Sequence, residues 1–464
     1  MTVHSLATAL VLSALTYIAE AADPPNIVVF ICDDLGMLDT QPYGSTEART
    51  PHLVQLASEG TRFTHCFVAS PSCGPSRTAL LTGLMPARNG AEPNHTAKRV
   101  GVASLPPVLH ALGYEVAAFG KVAHGNHAPL HGFDVVHADS SPERVGTFLR
   151  ERDSKKPLCL FLGTRHPHVP WSENDGYDPA KVTPPPMHVD TPETRSMRTQ
   201  YLTDVSNADR WLGELRPLIR EHVTGETLTI FTSDHGAQWP FGKWNLYDAG
   251  IRIPLIAVWP GQIAPHTTNA AMVQWIDLLP TFIVLAGGSV PDGLDGRSFA
   301  AVLKGEKTEH RDRIFTTHSG DGYRMNVYPV RSVRTREWKY IRNLHPEFQH
   351  HSHISRAAGK DGLIYWTSWQ RAAEKNLDAA AIVRRHIERP REELYDLIAD
   401  PFELHNLAAV PAQADRLLTM RAELDGWMTS QGDQQTVFGK PTLLGEPAPP
   451  LTPEENRPPA NAGR

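Results

Sequence analysis

Cysteine is scarce in this chain, with four among 464 residues. Cys32 and Cys159 lie in apolar runs, and Cys66 lies in a predicted strand. The spacing of the cysteines matches neither a dense disulfide framework nor a zinc site, although an exported chain could pair two of them. We therefore expect Cys32, Cys66 and Cys159 to be core thiols, whereas Cys73 lies in a motif of different character.

The chain also has no excess of positive charge. The chain carries 45 Lys and Arg residues against 51 Asp and Glu residues, and its sequence pI is about 6.4. Without a basic surface, binding of nucleic acid by general electrostatic attraction is not expected. Any anionic ligand must therefore be bound by a local group of cations.

Long apolar runs are lacking beyond the N-terminus, so no transmembrane anchor is expected. The apolar run at residues 6–18 is short for a bilayer span, and Ala19-Glu20-Ala21 follows it as a cleavage-type ending. We interpret residues 1–21 as an export signal cleaved near Ala21, which predicts a periplasmic, secreted or lumenal protein. No Lys or Arg precedes the run, and a buried N-terminal helix is the alternative interpretation.

Strand and helix patterns alternate over the first two thirds of the chain. Residues 26–32 form an apolar, β-branched run that is typical of a strand buried on both faces of a parallel sheet. Further strands are predicted at 115–119, 157–162, 227–232 and 254–259, and helices at 51–59, 104–113 and 191–222. The pattern predicts an α/β fold with a large, mostly parallel sheet flanked by helices.

Charged and imidazole side chains follow four of these predicted strands. They are Asp33 and Asp34, Lys121 and His124, His166 and His168, and Asp234 and His235. Sites in parallel sheets form beyond the carboxyl ends of the strands, so we expect these side chains to meet at one edge of the sheet.

The pattern changes near residue 315. Alternating residues at 329–334 and 338–342 predict antiparallel strands, and residues 412–427 predict an amphipathic helix. We therefore expect a catalytic domain at 22–314 and a smaller C-terminal α+β domain at 315–440 that contains an antiparallel sheet. A Pro-rich tail follows at 441–464.

The motif Cys73-Gly74-Pro75-Ser76-Arg77 carries the most specific chemical signal. Its spacing resembles the signature of type I sulfatases, in which a modifying enzyme oxidises the cysteine to a formylglycine aldehyde. The hydrated aldehyde offers one hydroxyl to attack sulfur and a second to expel sulfate. The alternative is a buried, unmodified thiol in a turn.

Other segments extend the resemblance to the sulfatase branch of the alkaline phosphatase superfamily, and most closely to the heparan N-sulfatases, or sulfamidases. They are the runs Thr232-Ser233-Asp234-His235-Gly236, Pro240-Phe241-Gly242-Lys243-Trp244-Asn245-Leu246-Tyr247, Tyr328-Pro329-Val330-Arg331-Ser332-Val333-Arg334 and Glu393-Leu394-Tyr395-Asp396. The resemblance implies an alkaline-phosphatase-like fold over nearly all of the mature chain.

The resemblance also implies one calcium ion, bound by Asp33, Asp34, Asp234, His235 and an oxygen of modified Cys73. Carboxylates suit this hard cation, whereas imidazole is an unusual ligand for it. By the same resemblance, Arg77 anchors the modified side chain, and Lys121 and Lys243 contact sulfate oxygens. A formylglycine-generating enzyme is an implied partner, and the resemblance leaves room for a homodimer.

Two histidines are expected to move protons. His168 would protonate the leaving amine or alcohol, and His124 would take the proton from the second hydroxyl. In Arg165-His166-Pro167-His168 either histidine could face the leaving group; we favour His168 and keep His166 as the alternative. His95, His127, His131 and the histidines of 350–353 are left as substrate contacts at most.

The expected function is hydrolysis of sulfate from a sulfated saccharide, with the N-sulfate of glucosamine as the favoured substrate. Three alternatives stay open. They are an O-sulfatase acting on another glycan, a phosphodiesterase-type relative and an inactive glycan-binding homologue.

Overall fold

The structure, a computed structural model, describes residues 23–153, 155–321, 325–356 and 363–447. The predicted export signal lies outside the described residues, as do residues 448–464 of the predicted tail. Within the described ranges, no helix combines the length and apolar character that crossing a membrane requires.

The larger of two sheets has eight strands. They are β1 (Asn26–Cys32), β2 (Thr61–Phe67), β3 (Glu115–Gly120), β4 (Val135–His137), β5 (Leu158–Gly163), β6 (Thr227–Ser233), β7 (Arg252–Val258) and β8 (Thr267–Gln274). Their spatial order is β4-β3-β5-β1-β6-β7-β2-β8. Strand β7 is antiparallel to its neighbours β6 and β2, and all other pairs are parallel. The prediction of a large, mostly parallel sheet is confirmed.

Helices flank this sheet. In the first half of the chain they are α1 (Pro51–Ser58), α2 (Cys73–Thr82), α3 (Pro86–Asn89), α4 (Leu105–Ala111), α5 (Pro142–Glu151) and α6 (Pro192–His222). In the second half of the chain the helices are α7 (Asp248–Ile251), α8 (Leu278–Leu285), α9 (Ala300–Leu303), α10 (His353–Arg356), α11 (Leu363–Ala373), α12 (Leu377–Ile387) and α13 (Ala414–Gln431), of which α13 packs on the smaller sheet.

Strand β1 lies at the centre of the larger sheet and contributes to two cores. Ile27, Val29 and Ile31 pack into one core, and Val28 and Phe30 pack into the other, on the side of α6. Side chains alternate across a strand, so a strand covered on both faces must be apolar at every position. This explains the continuous apolar run.

The smaller sheet is fully antiparallel, in the order β12-β11-β10-β9. Its strands are β9 (Ile314–His318), β10 (Val330–Arg334), β11 (Trp338–Asn343) and β12 (Glu392–Asp396). Helix α13 covers one face, where Leu417, Met420 and Leu424 pack on Val333 and Tyr340. The predicted antiparallel sheet and amphipathic helix are therefore both present.

Part of the C-terminal segment packs with the larger core. Tyr365, Trp366 and Trp369 of α11 join the cluster on the α6 side of the sheet, and Trp369 Nε1 donates to Thr194 Oγ1 at 2.7 Å. Helix α11 therefore packs with the larger sheet although it lies beyond residue 314. The predicted domain boundaries at residues 314 and 440 stay a prediction.

A buried ion-pair network joins the two sheets. The carboxylate of Asp248, at the start of α7, accepts hydrogen bonds from Arg334 Nη2 at 2.8 Å and Lys339 Nζ at 2.6 Å. Burial opposes ionisation, but Arg334 and Lys339 hold the pKa of Asp248 well below its usual range. Nearby, the Thr317 amide of β9 donates to the Ala69 carbonyl at 3.0 Å, just before the segment that leads to Cys73.

We expect Asp248→Asn to lower the apparent free energy of unfolding by about 3–5 kcal/mol, because it leaves buried Arg334 without its counter-ion and Lys339 with Glu403 alone. Urea denaturation measures the change. Asp312→Asn is the matched control, since Asp312 is 75% exposed and pairs with Arg313 at the surface; we expect it to change stability by less than about 0.5 kcal/mol. Equal effects of the two substitutions would contradict a role for Asp248 in joining the sheets.

Candidate active site

Two adjacent parallel strands bring the carboxylates together. Asp33 and Asp34 follow β1, Asp234 follows its neighbour β6, and the Asp34 amide donates to Asp234 Oδ1 at 3.1 Å. Asp34 has a left-handed backbone with φ of 68°, which is uncommon outside glycine. This local strain is typical of a functional position and turns the chain sharply at the end of the strand.

Cys73 begins α2, a helix whose residues are all buried. Its Sγ lies 3.4 Å from Lys121 Nζ, 3.4 Å from His235 Nε2 and 3.7 Å from Asp33 Oδ1. Burial opposes ionisation of the thiol, yet Lys121 and Lys243 hold the pKa of Cys73 well below its ordinary value. These cations therefore favour the thiolate form of Cys73, which distinguishes it from a buried core thiol.

The next position of α2 leaves little room for a side chain. A Cβ atom on Gly74 would lie 3.1 Å from Asn94 Oδ1 and 3.3 Å from the His95 amide nitrogen. Asn94 Oδ1 accepts the Gly74 amide hydrogen at 2.9 Å, which satisfies one of the free donors at the start of the helix. The loop that carries His95 therefore packs directly on the turn that carries Cys73.

Three buried cations surround the carboxylates. Arg77 Nε donates to Asp234 Oδ2 at 2.9 Å, Lys121 Nζ lies 2.5 Å from Asp33 Oδ2, and Lys243 Nζ lies 2.8 Å from Asp34 Oδ2. Burial opposes ionisation of Asp33, but Lys121, with His168 and Arg77, holds the pKa of this carboxyl well below its usual range.

One group of side chains fits a cation. Ligand atoms of Asp34, Cys73, Asp234 and His235 lie within 4.8 Å of one another, and all four residues are buried. Asp34 Oδ1 is buried and has no hydrogen-bond partner among the described residues, so it is free to bind an ion. Asp33, predicted as a fifth ligand, lies outside this group, and its two oxygens face Lys121 and Arg77.

The electrostatics of this group also fit a cation. Burial raises the pKa of the Asp34 carboxyl to about 7, against the opposing effect of Lys243. Burial lowers the pKa of His235, but Asp234, Cys73 and Asp34 outweigh it and raise the value to about 9. Asp34 and His235 therefore hold protons more tightly than usual, as expected of an anionic site that a divalent cation can neutralise.

The two histidines that flank Pro167 face different partners. His168 Nε2 lies 3.9 Å from Asp34 Oδ2, and its Nδ1 donates to the Val169 carbonyl at 2.5 Å. His166 Nδ1 instead lies 3.1 Å from Asp204 Oδ1, and its side chain is 41% exposed. His168 is therefore the member of the pair that lies beside the carboxylate cluster.

His124 lies on the other side of Cys73, packed against Gly74. Its Nε2 forms a hydrogen bond of 2.7 Å with His95 Nδ1, and its buried Nδ1 has no partner within the described part of the chain. Burial lowers the pKa of His124 well below the ordinary value, and His95 and Lys121 lower it further.

The structure thus brings all ten predicted site residues to one edge of the sheet. They are Asp33, Asp34, Cys73, Arg77, Lys121, His124, His168, Asp234, His235 and Lys243. Of the histidines kept as substrate contacts, His131 hydrogen-bonds Ser104 in the interior, whereas His95 lies next to His124.

Sequence analysis did not identify Asp321. This buried carboxylate follows β9 and lies 3.4 Å from His95 Nε2 and 3.6 Å from His353 Nδ1. It follows a strand, as the other carboxylates of the site do, but its strand belongs to the antiparallel sheet. Antiparallel strands do not end together at one edge, so this position has less weight as a signal in the smaller sheet.

Two protein-family models match the chain. The sulfatase family model matches residues 25–141 and 136–288, which together form more than half of the chain. A second model, N-sulphoglucosamine sulphohydrolase, C-terminal, matches residues 234–351.

Individual proteins agree with the family match. An ulvan-active sulfatase of Formosa agariphila is 29% identical over 94% of this chain and 85% of its own length. Human N-sulphoglucosamine sulphohydrolase is 27% identical over 89% of this chain and 91% of its own length. A structure solved in complex with D-glucosamine-2-N,6-O-disulfate superposes with a TM-score of 0.66 at 19% identity, over 89% of this chain and 99% of that one, and this shows the shared fold. The chain therefore belongs to the sulfatase family and is a sulfuric ester hydrolase.

Proposed function

We propose that this sulfatase acts on a sulfated saccharide through modified Cys73 and that its substrate is the N-sulfate of a terminal glucosamine. The observation that carries the catalytic part is the burial of Cys73 Sγ among Lys121, His235 and Asp33 at the start of a helix. The match of residues 234–351 to the C-terminal model of N-sulphoglucosamine sulphohydrolases supports the substrate part.

The surroundings of Cys73 suit an anionic reaction. Oxidised to formylglycine by a formylglycine-generating enzyme, Cys73 would supply a hydrated aldehyde with one hydroxyl for attack on sulfur and one for release of sulfate. The N-terminus of α2 carries a partial positive charge that favours an anion at this position. Arg77 holds Asp234 and Asp33 in place by its Nε and Nη2 hydrogen bonds.

Asp34, Asp234 and His235 would hold a divalent cation together with the modified side chain of Cys73, and Asp33 would support the site from the side of Lys121. A bound calcium ion would supply Lewis-acid polarisation of an oxygen ligand. The carboxylates suit calcium, while the buried imidazole of His235 leaves room for another divalent metal.

Lys121 and Lys243 would bind the sulfate oxygens. Both ammonium groups are already neutralised by Asp33 and Asp34, so they are fixed before substrate binds. Fixed cations stabilise the charge of a crowded transition state without the cost of reorganising water. Lys121 keeps 15% of its side chain exposed, which makes it the more accessible of the two.

His168 would protonate the leaving nitrogen. Its Nδ1 is committed to the Val169 carbonyl, so Nε2 is the atom that exchanges a proton with substrate. Burial, with Lys243, lowers the pKa of His168 well below its ordinary value, which opposes the acid role in the free enzyme. The negative charge of a bound sulfate acts in the opposite direction and would favour the protonated imidazole.

An O-sulfatase is the second candidate, and the ulvan-active relative at 29% identity supports it. Both functions need a proton from His168, because an amine and a sugar alkoxide each become strongly basic as the bond to sulfur breaks. A phenolate leaves with little assistance, so an aryl sulfate tests the acid role, and the sulfated sugars themselves distinguish the two functions.

Modification of Cys73 can be tested with an internal control. The tryptic peptide spanning residues 63–77 contains both Cys66 and Cys73. In protein from the native host we expect an aldehyde at Cys73 and a free thiol at Cys66, because Cys66 is buried in β2 outside the motif. Mass spectrometry after alkylation distinguishes an aldehyde from a thiol at both positions. Two intact thiols would contradict the proposed chemistry.

Substitution of Cys73 provides the activity counterpart. We expect Cys73→Ala to lower the turnover rate by about 10³-fold or more. We expect Cys73→Ser to release at most one equivalent of product, because serine cannot regenerate by expelling sulfate. Burst kinetics measure both variants. Sustained turnover by Cys73→Ser would contradict the aldehyde mechanism.

Removal of metal should lower stability as well as activity. We expect calcium at about 100 times its Kd to raise the free energy of unfolding by about 2.7 kcal/mol, because the cation binds the folded cluster alone. Thermal unfolding with and without chelator measures this, and elemental analysis identifies the ion. Asp34→Asn removes the charge of the carboxylate whose Oδ1 has no hydrogen-bond partner among the described residues. We expect calcium to stabilise this variant little. Full activity after verified metal removal would disprove the metal assignment.

Substrate preference is tested with His168→Gln and His166→Gln. We expect His168→Gln to lower hydrolysis of N-sulfoglucosamine by about 10²–10⁴-fold and that of an aryl sulfate much less. His166→Gln is the matched control and should leave both rates nearly unchanged, because His166 faces Asp204.

Steady-state kinetics on N-sulfoglucosamine, O-sulfated monosaccharides and an aryl sulfate give the comparison. Cleavage of O-sulfated but not N-sulfated sugars would reject the N-sulfate proposal, and equal losses on both substrates would reject the acid role of His168.

A further inference from the structure

A line of three side chains leads from the turn at Cys73 to the smaller sheet. His124 Nε2 and His95 Nδ1 form a hydrogen bond of 2.7 Å, and His95 Nε2 lies 3.4 Å from Asp321 Oδ1. His124 comes from the segment after β3, and Asp321 follows β9. The line therefore crosses the junction between the two sheets.

We propose that His95 and Asp321 act with His124 as a proton relay. A proton taken up at His124 Nδ1 is matched by transfer of the proton on His124 Nε2 to His95 Nδ1, and the Asp321 carboxylate then neutralises the His95 imidazolium. One proton enters and one moves along the line, so charge and atoms balance. The relay depends on the proposed function in one respect only, namely the identity of the group that delivers the proton to His124. His95 and Asp321 are thus positioning residues that act through His124.

The hydrogen-bond pattern carries the proposal. When His95 Nε2–H faces the Asp321 carboxylate, neutral His95 presents a lone pair at Nδ1, and His124 must donate to it from Nε2. The lone pair of His124 then lies at Nδ1, which is buried and has no partner among the described residues. Asn94 Nδ2, 3.3 Å from His95 Nε2, would favour the opposite tautomer, so the charge of Asp321 decides which one forms.

Asp321 is suited to hold a positive charge on His95. Burial opposes its ionisation, but the hydrogen bond from His95 and the charge of His353 hold the pKa of this carboxyl well below its usual range. Its Oδ1 also accepts from Asn94 Nδ2 at 2.7 Å, and Asn94 in turn caps the Gly74 amide. The carboxylate is therefore both charged and fixed relative to Cys73.

The two imidazoles have opposite electrostatic surroundings. Lys121, His127 and Arg77 face His124 and disfavour a positive charge there, whereas Asp321 and Cys73 favour one on His95, against the effects of burial and Lys243. A proton shared by the pair is thus drawn toward His95. That side chain is 29% exposed, so the proton can pass from it to water.

The backbone of His95 adds independent support. Its φ of 62° lies in the left-handed region, which costs a residue other than glycine about 1 kcal/mol or more. The chain therefore keeps an imidazole at a position where glycine would relieve the strain. Such an outlier next to a reactive side chain favours a functional role.

Ring-nitrogen NMR tests the relay without turnover. Protein with ¹⁵N-labelled histidine and Cys73→Ala is compared with the same protein carrying Asp321→Asn, and His95→Gln and His124→Gln variants assign the signals. We expect His95 and His124 to titrate together, and Asp321→Asn to lower their shared midpoint by about one pH unit or more. Asn keeps an acceptor for Asn94 and removes only the charge. Independent titration of the two rings, or an unchanged midpoint, would overturn the relay.

Kinetics give a second test. We expect His95→Gly to lower kcat by about 10²-fold with little change in KM, and added imidazole to restore part of it, because glycine suits the left-handed backbone. Asp321→Asn should move the acidic limb of the kcat profile to lower pH, since the pair then loses its proton more readily. His166→Gln is the control, because this histidine pairs with Asp204 away from Asp321, and the substitution should leave the limb in place.

The outcomes separate the two proposals. Coupled titration that depends on Asp321, found together with no sulfatase turnover by the protein with native Cys73, would support the relay and reject the proposed function. Normal turnover with wild-type kcat in His95→Gly would overturn the relay and leave the proposed function standing. A change in KM alone, without imidazole rescue, would also overturn the relay, because it would make His95 a substrate contact.

Discussion

The mutual neutralisation of buried charges at one edge of the larger sheet is the constraint on which the site depends. Asp33, Asp34 and Asp234 would be costly to bury alone, as would Arg77 and Lys243. Each carboxylate therefore has a cation within hydrogen-bond distance. Among these three carboxylates, Asp34 alone has a buried oxygen without a hydrogen-bond partner in the described part of the chain, and this imbalance makes the cluster a candidate for a cation. Cys73 lies within the same field, which explains the low pKa of its thiol.

The smaller sheet contributes to this site as well as covering the larger one. Asp248 joins the two sheets through Arg334 and Lys339, and the Thr317 amide holds the Ala69 carbonyl just before the Cys73 turn. Asp321 extends from the end of β9 to His95 and Asn94. The position of His124 and of the Cys73 turn thus depends on the packing of both sheets, and a charge placed in the second sheet can influence chemistry in the first.

Sequence patterns predicted the elements that position the site with small errors at their ends. The strand predicted at 254–259 runs over Arg252–Val258, and the helix predicted at 412–427 runs over Ala414–Gln431. The antiparallel orientation of β7 could not be predicted, because a buried strand is apolar whichever way it runs. The packing of α11 on α6 was also missed, because the apolar side chains of a helix do not specify which surface covers them.

For the site, the sequence by itself determined which residues meet, because polar residues that follow parallel strands must lie at the same edge of the sheet. The motif at Cys73 and the carboxylate pairs were sufficient for that inference. Only the tertiary structure decided how the side chains pair. It directed His168 toward Asp34 and His166 toward Asp204, turned Asp33 toward cations, and brought Asp321 to His95 across more than two hundred residues of chain. Beyond the end of a regular strand, the order of residues in the sequence does not specify the direction of their side chains. A contact between two sheets has no local sequence pattern at all.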